Sequence, residues 1–154
     1  MATLTNDFSW SVSRDQTFRA CRRAYYYTYY GSWGGWESAA PERTRLIYRL
    51  KNIRTLPRWA GSSVHETIAE ALERFARTGQ QITAGALQAQ ARTRLRSGWV
   101  EAVNGEWMAR PKKTSLHELY YGNGKTLPPE VTDDLRTRVY DCLEAFAKSA
   151  MLDE

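Results

Sequence analysis

Apolar side chains recur every three or four positions along most of this chain, and strand-length runs that alternate apolar with polar do not occur. This period restricts the fold more than any other feature, because it gathers apolar groups onto one face only when the backbone is α-helical. Phe18, Cys21, Tyr25 and Tyr29 mark such a face over residues 14–30, with Ser11 or Ser13 as the cap and Arg19, Arg22, Arg23 and Tyr26 opposite. Gly31-Ser32-Trp33-Gly34-Gly35-Trp36 ends that helix in a turn. Pro41 opens a second helix that stops before Pro57, with Leu46, Leu50 and Ile53 on one side and Arg45, Arg49 and Lys51 elsewhere. A third covers 58–77 through Val64, Ile68, Leu72 and Phe75, and Gly79 stops it. A fourth covers 83–103 through Leu87, Ala91, Leu95 and Trp99. A fifth runs from 129 to about 151 through Leu135, Val139, Cys142, Leu143 and Phe146. Glycines and prolines break up 105–128, predicting an irregular connection with at most one short helix near 115–121. The expected fold is mainly α, with five or so helices.

Length and composition set the outer bounds. A chain of 154 residues is the size of one domain, so 1–154 reads as a single helical domain or the front part of one. Its 42% hydrophobic and 25% charged residues are the balance of a folded globular protein. There is no apolar run of membrane-spanning length, and MATLTNDFSW lacks the order of a secretory signal, so a cytoplasmic protein without a membrane partner is expected. Cys21 and Cys142 belong to no CxxC pair, which argues against a zinc knuckle and favours both as small apolar residues in helices. The net charge of +5 is unevenly spread. Residues 1–58 hold ten Lys and Arg against four acids, a local +6, and the remainder is at −1. The first third is therefore the part suited to phosphates.

Several catalytic patterns are imitated without being completed. Gly122-Asn123-Gly124-Lys125-Thr126 lacks the first glycine of a phosphate-binding loop, since position 119 is Leu119, and prolines follow it where a helix should. His65-Glu66-Thr67-Ile68-Ala69 begins like a zinc-protease helix, but Ala69 stands where the second histidine must be. Asp133 and Asp134 are expected in the first turn of the last helix, where they suit its dipole.

One constellation remains: Phe8-Ser9-Trp10-Ser11-Val12-Ser13, then Phe18, Cys21, Arg23 and Tyr25, then Gly61-Ser62-Ser63-Val64-His65. Their order and spacing resemble the RecB-like branch of the PD-(D/E)XK nucleases, which includes AddB nuclease domains and CRISPR-associated exonucleases. That branch shows an S-x-S entry, a helix reading F-x-x-C-P-R-x-Y/F and a helix reading G-x-x-V/I-H. Arg22 departs from the pattern at its proline, and the matching stretch covers about residues 8–75.

The resemblance implies that His65 is a ligand to magnesium or manganese, beside two carboxylates and a lysine borne on a later sheet. Some relatives use the cysteine matching Cys21 in an iron–sulfur cluster. Only Cys142 accompanies it here, so no such cluster is expected within this chain. No Glu-x-Lys occurs anywhere; Glu144 precedes Lys148 by four residues. The expectation is therefore the helical front portion of a metal-dependent DNA nuclease, inactive alone, whose sequence stops near 151–154 short of the catalytic sheet. A downstream half or a partner subunit would complete the site. Arg19, Arg22, Arg23, Arg45 and Arg49 would meet phosphates, and Tyr26, Tyr30, Trp33 and Trp36 would stack on bases. The competing expectation is a noncatalytic helical adaptor for DNA or a protein partner.

Overall fold

The computed structural model describes residues 4–122 and 126–149. Residues 123–125 of the glycine turn and the 151–154 end lie outside the described residues. Among the described residues there are seven α-helices and no strand, with one isolated parallel bridge between Arg54 and Leu116. The chain is mainly helical, and its backbone forms two compact units, Met1–Ile53 and Arg54–Glu154, within the span that length assigns to one domain.

In the first unit, Ser11 caps helix α1, Val12–Ala20, by accepting from the Arg14 amide at 3.3 Å. The continuous helix expected over 14–30 is broken at Cys21, whose backbone is extended (φ −162°, ψ 108°). The Cys21 thiol accepts from the Ala24 amide at 3.4 Å and so caps the next helix, α2, Arg22–Tyr26. A π-helical turn follows at Tyr27–Gly31. Ring packing explains the break. On one straight helix Phe18 and Tyr25 would be separated by roughly 10 Å of axial rise, whereas here their rings meet edge to face at 5.3 Å. Tyr25 also touches Tyr29 at 5.0 Å and Tyr30 at 5.8 Å. Cys21 is exposed, which corrects its expected place in a core. Helix α3, Glu42–Lys51, follows Pro41 as the proline predicts. Of its expected apolar side, Leu50 is half-buried and Leu46 is exposed.

The second unit is a bundle of three long helices that all pack on one another: α4, Leu56–Thr78; α5, Ala84–Val103; and α7, Pro129–Ala147. Pro57 lies inside the first turn of α4, where a missing N–H leaves nothing unsatisfied. Gly79 closes the helix at φ 68°, its N–H donating to the Phe75 carbonyl at 2.8 Å. The buried side of α4 differs from the expected stripe. Val64 and Ile68 are partly buried, but Leu72 and Phe75 are each 41% exposed. Ala60, Ser63, Thr67 and Ala71 fill the interior instead. The Ser63 and Thr67 hydroxyls are satisfied within the helix, donating to the Trp59 and Ser63 carbonyls at 3.0 and 2.7 Å.

Helix α5 packs on α4 and buries Leu87, Ala91, Gly98 and Ala102. A Cβ on Gly98 would lie 3.0 Å from the Trp59 ring and 3.0 Å from the Thr114 hydroxyl, so glycine is what allows the indole to lie against α5. Helix α7 contributes Val139 and Leu143, while Cys142 faces solvent, against expectation.

The 105–128 connection holds a 3-10 turn, Glu106–Met108, that buries Trp107, and the short helix α6, His117–Tyr120. It is tied to the start of α4. The Arg54 amide donates to the Ser115 carbonyl at 3.0 Å, and the His117 amide donates to the Arg54 carbonyl at 2.8 Å. Thr55 does not cap α4 with its side chain. Both carboxylate oxygens of Glu118 accept from the Leu56 amide instead, at 3.0 and 3.1 Å. Replacing Glu118 by Ala should cost about 1–2 kcal/mol of stability by removing this cap, measured as a lower urea midpoint for the helical signal. Glu118→Gln should recover part of the loss, and an unchanged midpoint in the alanine variant would show the contact to be energetically idle.

Candidate nucleic-acid interface

The basic residues of the first unit fall into three environments, and each decides what the charge can do. Arg19 is held by Asp15 one turn earlier on α1 at 2.8 Å, so its charge is already answered. Arg45 and Arg49 on α3 are half-buried, and the Arg49 Nε is enclosed without a hydrogen-bond partner. Lys51 donates to the Thr28 carbonyl at 3.1 Å, and burial pushes its pKa down.

Arg22 and Arg23 are exposed on α2 and have no ion pair among the described residues. Arg22 lies over the Phe18 ring at 5.4 Å and Arg23 over the Tyr27 ring at 5.7 Å. A ring face orients a guanidinium without neutralising it, so both remain net cations. Arg43 adds a third, its Nη2 donating to the Tyr27 hydroxyl at 3.5 Å. The Tyr27 phenol responds to hydrogen bonding from these guanidinium groups. Arg23 first, then Arg43, hold its pKa below the ordinary 10.0 by favouring the phenolate.

The aromatic candidates divide in the same way. Tyr26 is 56% exposed, with its ring perpendicular to that of Tyr27 at 5.5 Å and Gly31 packed beside it. Trp33 and Trp36 are exposed and packed edge to face at 5.0 Å, with Trp36 also against Tyr48 at 5.7 Å. Their turn exists because Gly35 is buried so tightly on Tyr48 and the Thr44 carbonyl that a Cβ would collide with both. Tyr30 is half-buried beside Tyr25, which removes much of its ring from any base. The Tyr25 hydroxyl is buried without a hydrogen bond of normal geometry. The adjacent Tyr30 hydroxyl, followed by burial, raises its pKa.

His65 belongs to the second unit and is exposed on α4. One turn away along the helix stand Gly61, Ser62, Ile68 and Ala69, none of them a metal-binding carboxylate. Nothing lies within 4 Å of where a Gly61 Cβ would be, so the space beside His65 is open. The next residue, Glu66, is engaged elsewhere: Arg94 reaches Glu66 at 2.6 Å and Glu70 at 2.5 Å, holding the Glu70 pKa down. Among the described residues, no three His, Cys, Asp or Glu side chains gather closely enough to hold a metal ion. His65 thus brings a single exposed imidazole, with no metal-binding side chain one turn away on α4.

No family model, curated protein or solved structure matches this chain.

Sequence reasoning missed Arg43 and Arg14, the latter stacked on Tyr29 at 4.4 Å. The Arg23–Tyr27 contact was available as an i, i+4 pair, but Arg43 approaches Tyr27 from another helix and leaves no local signal. Asp133 and Asp134 lie in the second turn of α7, where they pair with Arg136 and Arg138 at 3.0 Å each, so the expected dipole role passes to ion pairing. Glu144 is bound to Lys148 at 2.5 Å. No helix among the described residues is long and apolar enough to cross a membrane.

Because hydrogen bonds from the two guanidinium groups hold the Tyr27 pKa down, Arg23→Ala should return its titration toward 10.0. Arg43→Ala should move it less. Site-resolved tyrosine ring-carbon NMR across alkaline pH measures both, and an unmoved Tyr27 in the Arg23 variant would refute the assignment.

Proposed function

We propose that this chain is the helical front part of a RecB-like metal-dependent DNA nuclease, inactive alone, that grips DNA through its first unit and contributes His65 to the metal site. The observation that carries the reading is the state of α2: Arg22 and Arg23 are exposed, positioned by rings and unneutralised, with the exposed Tyr26 and the Trp33–Trp36 pair in the same unit. Guanidinium groups beside exposed rings are the combination that binds an unpaired strand, through phosphates and base faces together. The S-x-S, F-x-x-C-x-R-x-Y and G-x-x-V-H order lends the nuclease part of the reading. The two carboxylates and the lysine would come from a downstream catalytic half or a partner subunit. Magnesium or manganese, once bound there, would activate the attacking water. In the same reading the protein acts in the cytoplasm.

The surroundings of His65 favour a second reading. A histidine flanked by Gly61, Ser62, Ile68 and Ala69 also suits a noncatalytic helical adaptor that binds DNA or a protein partner.

Single-stranded DNA binding should weaken steeply with salt. Replacing Arg22 and Arg23 together by Ala should flatten the slope of log K against log salt by about 1.4, two phosphate contacts on a single strand. Arg19→Ala should change it little, because Asp15 already holds that charge. Anisotropy titrations over a range of salt read both, and a slope unaltered in the double variant would overturn the assignment of the interface. The nuclease reading has its own test. With the catalytic half supplied, manganese- or magnesium-dependent cleavage should appear and fall by roughly tenfold or more in His65→Ala. Cleavage indifferent to His65 would remove its ligand role, and no cleavage with DNA binding intact would leave the adaptor.

A further inference from the structure

An apolar groove of about 440 Å³ runs between α5 and α7 in the second unit, within the size range of small-molecule sites. Leu56, Leu95, Trp99, Leu127, Val131 and Leu135 line it. Its rim is mostly cationic: Arg92 and Arg96 from α5 and Arg136 from α7, with Asp133 the acid among them. Ion pairing separates these groups. Of the five arginines on the two helices, Arg94, Arg136 and Arg138 are matched to carboxylates at 3.0 Å or less. Asp133 is the partner of Arg136, so the one acid on the rim is already neutralised. Arg92 and Arg96 are exposed, stand one helical turn apart and have no ion pair among the described residues.

From this we infer that the groove binds a small amphipathic carboxylate, with its alkyl or aryl body between α5 and α7 and its carboxylate on Arg92 and Arg96. An aliphatic tail alone would leave the two guanidinium groups unanswered, and an inorganic anion would leave the apolar walls wet. Only a ligand with both parts satisfies the groove. A guanidinium fork matches the planar carboxylate and can hold it through two parallel hydrogen bonds. A nucleic-acid strand has no apolar tail for these walls, so this site is independent of the one on α2.

The probe is decanoate, below the concentration at which it forms micelles, compared with decanol in calorimetric titrations of the full chain. Decanoate should bind at one site with a dissociation constant on the order of 10⁻⁴ M, and decanol roughly tenfold more weakly for want of the charged contact. Arg92→Gln with Arg96→Gln should erase the difference between the two ligands. Both side chains are exposed, so the helical content should be unchanged. Val131→Glu, an exposed position on the groove wall, should repel decanoate more than decanol. Equal affinity for the two ligands, decanoate binding unaltered in the double glutamine variant, or no binding at millimolar decanoate would each overturn the proposal.

Discussion

The close approach of α4 to α5 organises the second unit, and small residues make it possible. Ala60, Ser63, Thr67 and Ala71 are the small buried residues of one helix and Ala91, Gly98 and Ala102 those of the other, with the Trp59 ring against Gly98. Polar atoms can occupy such a seam because Ser63 and Thr67 spend their hydroxyl donors on their own helix, leaving only small surfaces to pack. Much follows from the seam. It turns Leu72 and Phe75 outward, although their spacing alone would have buried them. It sets Glu66 and Glu70 opposite Arg94, adding a charged tie between the same two helices. Leu95 and Trp99 of α5 stay half-buried and line a groove together with Val131 and Leu135 of α7. The apolar groove is what remains uncovered.

The first unit is held by a different interaction. Tyr25 is its one buried large apolar residue among those described, and the rings of Phe18, Tyr29 and Tyr30 surround it. Aromatic pairs add roughly 0.5–1.5 kcal/mol each beyond the area they bury, so a ring cluster can order a short segment that lacks an aliphatic core. The segment must bend to form it. Cys21 supplies the bend, and its thiol caps the helix that resumes. Phe18, Cys21 and Tyr25, three of the residues behind the nuclease resemblance, thus have structural duties that explain their order. The bend leaves Arg22 and Arg23 on a short outward helix, stacked on rings and free of carboxylates. The same geometry that builds the core exposes the charge.

Much of the helical framework was legible. The 3.6-residue period, the prolines at 41 and 129, the glycine at 79 and the cap at Ser11 are local signals, and α4, α5 and α7 lie close to where those signals put them, while α3 begins as expected after Pro41 but stops at Lys51, short of Ile53. So was the uneven charge, a sum over sequence that no folding can alter. The site was less legible. Arg19, Arg45 and Arg49 looked equivalent to Arg22 and Arg23 because a periodic pattern assigns a face without saying what else occupies it. Asp15 claims the first and partial burial the other two.

The sequence by itself determined which segments are helical, roughly where they stop, and that positive charge concentrates in the first third, because each depends on residues within a turn or two of one another. The tertiary structure alone decided which helix face is buried, that the first helix breaks at Cys21, and that Glu118 caps a helix beginning 62 residues before it. Those outcomes turn on contacts between surfaces distant in sequence. A small-residue seam can outcompete a larger apolar stripe when the partner helix has a matching small face, and a ring cluster can outweigh a few helical hydrogen bonds. Periodicity within one segment carries neither comparison.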